Sequence, residues 1–218
     1  MPPSPPERAT APALLADLLR DEVLSGRLGP GTPLREEDIA TRTGHARHTV
    51  RAALARLVDE RVAVSEPYRG VRVTAFDDAD VVALQQLRGA LESEAVRLLG
   101  GQHGPRWPRA VLAPVREALD ALAAEPDDDW PAVARAHASV HRTLVAAAGS
   151  PRITAAHDRL DAELLLVLVQ VRPAYTVAGL VREHRSYLAA VQRDGPDAVR
   201  RHLAHSTRLI LDARAGAG

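Results

Sequence analysis

Apolar residues recur along this chain in two rhythms, and the places where the rhythm changes mark its elements. Leu14, Leu15, Leu18, Leu19 and Val23 follow helical spacing over Ala13 to Leu24, and Gly26 with Gly29-Pro30-Gly31 ends that run. Between Leu34 and Leu57 the spacing predicts two short helices. Glu36 to Thr41 turns Ile39 and Ala40 inward, and Ala46 to Asp59 buries Val50, Ala53, Leu54, Leu57 and Val58. Gly44 falls between them, where a tight turn calls for a left-handed backbone that glycine adopts without strain. The rhythm then shortens to alternation. Val62 and Val64, then Val71 and Val73, flank Pro67-Tyr68-Arg69-Gly70, the pattern of two short strands and a turn.

Helix, helix and hairpin in that order predict a winged helix-turn-helix of three helices and a two-stranded wing. From Asp78 onward only helical spacing is found, over Ala79–Leu99, Pro108–Ala124, Trp130–Ala148, Pro151–Val171, Thr176–Arg193 and Asp197–Ala213. The breaks fall at Gly100-Gly101, Glu125-Pro126, Gly149-Ser150-Pro151, Arg172-Pro173 and Gly195-Pro196. About six helices with short connections imply an antiparallel all-α bundle, so the fold class is mainly α. The expected organisation is a disordered arm over 1–9, a winged domain over 10–76, a helical domain over 77–213 and a flexible tail over 214–218.

Composition narrows the class. Apolar residues make up 46% of the 218 positions and aromatic ones only 3%, so both cores must be aliphatic. No cysteine is present, which excludes disulfides and thiolate metal sites. There is no apolar run of membrane-spanning length and no signal peptide at the proline-rich start, which gives the expectation of a cytoplasmic protein. The net charge is zero, with 11 Arg against 10 acids up to residue 76 and 17 Arg against 18 beyond it. Affinity for double-stranded DNA must then come from local placement of arginines and from two copies binding together as a homodimer.

Arg47, His48 and Arg51 group near the start of the second short helix, opposite its apolar face, where a recognition helix meets base edges and phosphates. A solvated amphipathic helix pair is the plainer account of the same residues. The stretch LLRDEVLSGRLGPGTPLREEDIATRTGHARHTVRAALARLVDERVAVSEPYRGVRV resembles the DNA-binding domain of the GntR family of bacterial transcription regulators. The resemblance rests on the helix running into SGRLGPGTPL, on R-x-x-V-R-x-A-L and on R-G-V-x-V. It implies that Arg35, Arg47, His48, Thr49 and Arg51 bind DNA, and that the wing at Arg69 and Gly70 enters the minor groove. Two positions depart from the pattern. Ala46 stands where a Ser or Thr caps the recognition helix, and Arg61 replaces the Gly that ends it, so the helix must stop in another way.

Seven of the nine histidines lie beyond residue 76. His137 and His141 share a helical face, His184 lies on a later helix, and His202 and His205 lie three apart on the last. Each alone is an ordinary helical histidine. Collected from three helices, they could form an imidazole cage for a divalent ion such as Zn or Ni. LRGALESEAVRLL, HASVHRTLVAAAGSPRI and EHRSYLAAVQRDGPDAVRRHLAH resemble the FCD effector-binding domain of the FadR subfamily. That resemblance implies a metal held by His137, in a carboxylate's place, by His141 and by His184. The last ligand position falls on Ser206, with His205 one residue early, and one residue turns a helical side chain by about 100°. Either the last helix is locally offset, so that the metal set is His137, His141, His184 and His205, or the site has lost a ligand; a metal-free pocket lined by the same polar residues is the alternative. Arg88 lies on the helix whose Leu84, Leu87, Leu91 and Ala95 are expected to face the core. The family uses this arginine near its effector, which implies a small organic acid bound bidentately. An interhelical salt bridge to a residue such as Glu92 accounts for it equally well.

These readings converge on a ligand-responsive regulator, a repressor binding a palindromic operator as a dimer and not an enzyme. The alternative is a metal-dependent enzyme built on the histidine-bearing bundle, since a cage with an open position can activate water. HASVH lacks the glutamate of H-E-x-x-H proteases, which weighs against it.

Overall fold

The computed structural model describes residues 10–170 and 176–215, and it divides into two compact units that meet between Ala75 and Phe76. The expected arm over 1–9 and the break at Arg172-Pro173 lie outside the described residues.

In the first unit α1 spans Ala11–Leu24, α2 Glu36–Thr43 and α3 Arg47–Asp59, followed by β1 Ala63–Glu66 and β2 Gly70–Val73. Helix α1 packs on α3 through Leu15, Leu19 and Val23, and these meet Val50, Ala53, Leu54 and Leu57 of α3, all buried. Leu14 and Leu18 were expected inward too, but a 14-residue helix with one neighbour has one buried stripe, and these two lie outside it, exposed. Gly44 ends α2 with φ +71°, as the turn requires.

The strands pair antiparallel with Ala63 opposite Val73 and Glu66 opposite Gly70. Ala63 and Val73 face inward while Val64 is exposed, so the wing's buried side is one residue out of register with the expected valine pairing. The incoming chain adds to the free side of β2: Leu34 N donates to Val71 O at 2.8 Å and Val73 N to Thr32 O at 3.0 Å.

Arg61, in place of the expected glycine, still ends α3 by the left-handed route, with φ +58°. Its carbonyl accepts from Thr74 Oγ1 at 2.7 Å. A side chain there costs roughly 1–2 kcal/mol relative to ordinary backbone, which the surrounding hydrogen bonds hold in place.

The second unit is a helical bundle. Helix α4 spans Asp78–His103, α5 Arg109–Ala124, α6 Trp130–Ala147, α7 Pro151–Asp158, α8 Asp161–Gln170, α9 Val177–Asp194 and α10 Pro196–Ala215. A capping box opens α4, in which the Asp77 side chain accepts from Asp80 N while the Asp80 side chain accepts from Asp77 N.

Four details differ from expectation. Helix α4 continues through Gly100-Gly101, because two glycines weaken a helix without breaking it when Leu99 is buried beside them, and it stops at Gly104 with φ +66°. The run predicted from Pro151 is two helices, broken at Arg159-Leu160, where Leu160 turns inward to pack with Val81, Leu84 and Leu164. Leu87 is exposed, while Arg88 takes the inward position. Residues 214 and 215 belong to α10, where Arg214 donates to Asp78 Oδ1 at 2.9 Å.

The N-terminus of α3 carries a testable defect. Ala46 sits at the N-cap with extended backbone, φ −64° and ψ 146°, and offers no side-chain cap. The backbone is already that of a capping residue, so Ala46→Ser should stabilise the winged unit by about 1 kcal/mol. A shift of that unit's urea midpoint to higher concentration in the full chain is the expected result; an unchanged or lower midpoint counters it.

Candidate DNA-reading helix and histidine centre

The exposed side of α3 is built by exclusion. Val50, Ala53, Leu54 and Leu57 are consumed by packing on α1, which leaves Arg47, His48 and Arg51 on the open face. Thr49, expected among the DNA contacts, is 8% exposed and lies beside Val50 toward the buried side of the helix. Arg51 donates Nε and Nη2 to Glu36, both at 2.9 Å, and Arg47 Nη2 reaches Glu37 at 3.0 Å. Such exposed pairs are worth roughly 0–1 kcal/mol, little enough for phosphates to replace. Arg35 is exposed at the start of α2, 3.9 Å from Asp38. Arg69 is exposed on the wing turn beside Glu66, between Tyr68 at φ +64° and Gly70 at φ +75°. The wing tip is thus formed by two consecutive tight-turn conformations around one arginine.

In the bundle, α6 and α9 bring three imidazoles together. His137 and His141 share one face of α6, and His184 of α9 meets both, its Nε2 lying 2.9 Å from His137 Nε2 and 3.0 Å from His141 Nε2. All three are buried. Their outer nitrogens fix the protons: His184 Nδ1 donates to Leu180 O at 2.8 Å, and His141 Nδ1 donates to Glu92 Oε2 at 3.1 Å. The Nε2 atoms of His141 and His184 therefore face each other as lone pairs. His137 can place one proton toward His184, but its buried Nδ1 then has no hydrogen-bond partner. Three neutral imidazoles so arranged are a donor set for a divalent cation, with a carboxylate and a carbonyl orienting two of them from behind.

Glu92 was weighed only as a salt-bridge partner, yet it is the centre of the surrounding network. Fully buried on α4, it accepts from Arg88 Nε at 2.6 Å, from Tyr187 OH at 3.0 Å and from His141, with His157 Nε2 at 3.5 Å. The Arg88 pair lies within α4 rather than between helices, and Arg88 Nη1 reaches Gln85 Oε1 at 3.4 Å. Burial alone would raise the Glu92 carboxyl, but the Arg88 charge and then His141 hold it well below the usual carboxylate range. Burial, with neighbouring His184, pushes His137 well below its ordinary value; burial and then Arg88 do the same to His141, against Glu92. Burial and the nearby His202 lower His184 to about 4. A sequence signal for Glu92 existed: Gln85, Arg88, Glu92 and Ala95 keep the three-to-four spacing of a buried stripe, which marks a charged pair inside the core.

His205 does not join the cluster. It is exposed on α10, with Arg208 Nη2 3.4 Å from its Nδ1, and α10 does not turn it in among the imidazoles. Ser206 reaches Gln85 Nε2 at 3.5 Å rather than an imidazole.

Residues 13–73 match the gntR family of bacterial regulatory proteins, and residues 83–208 match the FCD domain. The chain is 26% identical over 209 residues to the "Probable D-xylose utilization operon transcriptional repressor" of Paenarthrobacter nicotinovorans, covering 95% of this chain and 90% of that one. It is 26% identical to the HTH-type transcriptional repressor GlaR of Escherichia coli (strain K12), over 91% and 94% of the two chains. A GntR crystal structure from Rhodococcus sp. RHA1 superposes with a TM-score of 0.76 at 27% identity, over 93% of this chain and 98% of that one.

The depressed imidazoles set a pH dependence. Unfolded histidine takes up a proton near pH 6.5, whereas folded His184 does so only near 4, so the stability this group contributes is complete above about 6.5 and is lost as pH falls toward 4. In a chelator, the melting temperature of the bundle should fall from pH 7 to pH 5, before most carboxylates titrate. A flat or rising profile over that interval would show that the imidazoles are charged in the folded protein.

Proposed function

The chain belongs to the gntR family of bacterial regulatory proteins and carries an FCD domain, and from that premise we propose that it is a metal-dependent, ligand-responsive repressor that senses a small organic acid and binds a palindromic operator as a homodimer. The observation that carries the sensing half is the convergence of the His137, His141 and His184 Nε2 atoms at 2.9 and 3.0 Å, two of them with their protons fixed on the outer nitrogen. A divalent ion such as Zn or Ni suits that set, and when bound it supplies a positive centre for a carboxylate. The family and the two relatives are regulators rather than enzymes, and Glu92, the carboxylate behind the imidazoles, is consumed by its own partners. No helix among the described residues is long and apolar enough to cross a membrane.

Arg88 remains the effector contact of this reading, in a changed way. Its Nε is committed to Glu92 at 2.6 Å, but its approach to Gln85 is only 3.4 Å, a weak contact. Gln85 also lines an open groove of about 570 Å³ between α4 and α10, with Val82, Gly89, Leu203 and Thr207. An acid entering there exchanges with Gln85 and leaves the Arg88–Glu92 pair intact. Repression is carried over from the two relatives, both transcriptional repressors, and dimerisation follows from the balanced charge of the winged unit, which makes one copy a weak binder.

On DNA, Arg47→Ala should cost about 1–3 kcal/mol and relax specificity at one base position if the guanidinium pairs with guanine, and Arg51→Ala should weaken binding comparably. Operator titrations in which neither variant loses affinity would remove both from the interface.

In the sensor, metal should raise the melting temperature at pH 7.5 and do so less at pH 5.5, where protons compete for the ligands. Replacing His141 and His184 together by Ala should abolish the metal effect and weaken the effector response, with DNA binding in the absence of effector retained. A double variant that responds to both like the parent would make the imidazoles structural.

A further inference from the structure

The fourth ligand position is where this chain departs from the pattern it resembles, since Ser206 occupies it and His205 is exposed. A different imidazole stands beside the cluster. His202, one turn before Ser206 on α10, has a side chain only 7% exposed. Its ring centroid lies 4.9 Å from that of His184, edge-on at 85°, and 5.4 Å from that of His141. The separations among His137, His141 and His184 are 4.6, 5.0 and 5.1 Å. Two imidazoles on one ion at about 2.1 Å have centroids roughly 4.5–5.2 Å apart, so the His202 ring keeps nearly the spacing of a co-ligand.

The proton on His202 is placed as it is on the others. Its Nδ1 lies 3.3 Å from Glu183 Oε1, a contact in which the ring N–H donates and the carboxylate oxygen accepts. The proton is therefore on Nδ1 and the Nε2 lone pair is available, as on His141 behind Glu92 and His184 behind Leu180. Tyr187 stacks on the His202 ring at 4.2 Å and 18°, which sets its plane.

We propose that His202 supplies the fourth ligand in this chain, giving an all-imidazole site with Glu183 as the outer partner of the new ligand. The proposal rests on the metal-sensing reading above. The nitrogens of His137, His141 and His184 already lie within 4.8 Å of one another without His202, so for its Nε2 to reach the same ion the His202 ring must turn toward them within the plane its stacking sets. One consequence is electrostatic: no carboxylate touches the ion, and its charge is balanced only at one remove by Glu183 and by a Glu92 already paired with Arg88. Such a centre leaves more positive charge for an anionic effector than one with a carboxylate ligand.

The test uses the full chain with Ni2+ or Zn2+ alone in chelator competition at pH 7.5. His202→Gln is expected to lower affinity by about tenfold or more, with His205→Gln and Ser206→Ala close to the parent. In Co2+-loaded protein, His202→Gln should change the visible absorption, and added imidazole should restore it. Should His202→Gln fail to fold without metal, Glu183→Gln, which removes only the outer partner, should lower affinity in the same direction. Parent-like affinity in His202→Gln, or a loss in His205→Gln or Ser206→Ala instead, overturns the proposal. The His141→Ala/His184→Ala variant separates the two failures. If it binds metal as well as the parent, the metal reading falls and His202 with it; if it alone loses metal, only the fourth ligand is wrong.

Discussion

A carboxylate with no access to water dictates how the helical unit is built. Glu92 is completely buried, and an isolated charge in such a place would neutralise itself or unfold its surroundings. It stays ionised because α4, α6, α7 and α9 each contribute a group: Arg88, His141, His157 and Tyr187. Removing one partner of a buried pair commonly costs about 3–5 kcal/mol, whereas the pair as a whole need not add stability over a well-packed apolar substitute. What the network does provide is direction. It fixes which nitrogen of His141 carries the proton and thereby which one faces His137 and His184. The position of one acid on α4 thus determines the chemistry presented by α6.

Much of this was legible in the sequence, for physical reasons that differ by element. The helix-turn-helix was readable because Gly44 and the Val50-Ala53-Leu54-Leu57 stripe are local signals, and the structure keeps both. The pairing of His137, His141 and His184 was readable because two lie four apart on one helix and the third follows Glu183 in a matching segment. What was not readable is rotation about a helix axis. His205 against Ser206 and Leu87 against Arg88 are both choices of which neighbouring residue faces in. One residue moves a side chain by about 100°, and apolarity does not decide when the interior itself is polar. The apolar rule favoured Leu87, but the core at that point is an ion pair, so Arg88 went in. The break at Arg159-Leu160 was missed for a related reason, since neither residue is a helix breaker and only the packing of Leu160 reveals the corner.

The winged unit solves a different electrostatic problem. Its arginines are not concentrated into a field, and Arg47 and Arg51 rest on Glu37 and Glu36 across the helix-turn-helix. Because both partners are largely exposed, these contacts add little stability and are screened by salt. They nonetheless hold two long side chains in defined directions. Phosphate and base edges compete with glutamate for the same guanidinium donors, so binding exchanges one set of charge-assisted hydrogen bonds for another. Such an exchange lowers non-specific affinity more than specific affinity, since only a correctly placed guanine returns two hydrogen bonds to one guanidinium. A neutral winged unit with tethered arginines is thus suited to selectivity that depends on two copies meeting two half-sites.

The two sites share a feature that distinguishes them from the aliphatic cores around them. In the cores the aliphatic side chains are satisfied by their neighbours, as Leu57, Leu99 and Leu144 are by close packing. At the histidine centre satisfaction is incomplete: two lone pairs face each other at 3.0 Å, and the buried Nδ1 of His137 lacks a partner. A fold can hold such a mismatch only where the frame is stiffer than the repulsion, and here the frame is Glu92 with its four donors on one side and the Leu180 carbonyl on the other. The stability forgone is recoverable by whatever places positive charge between the nitrogens. A proton can relieve one pair, but burial and the Arg88 charge oppose it, as the lowered His141 shows. Burial thus keeps His137, His141 and His184 neutral, and neutral imidazoles are the form whose lone pairs a cation can coordinate.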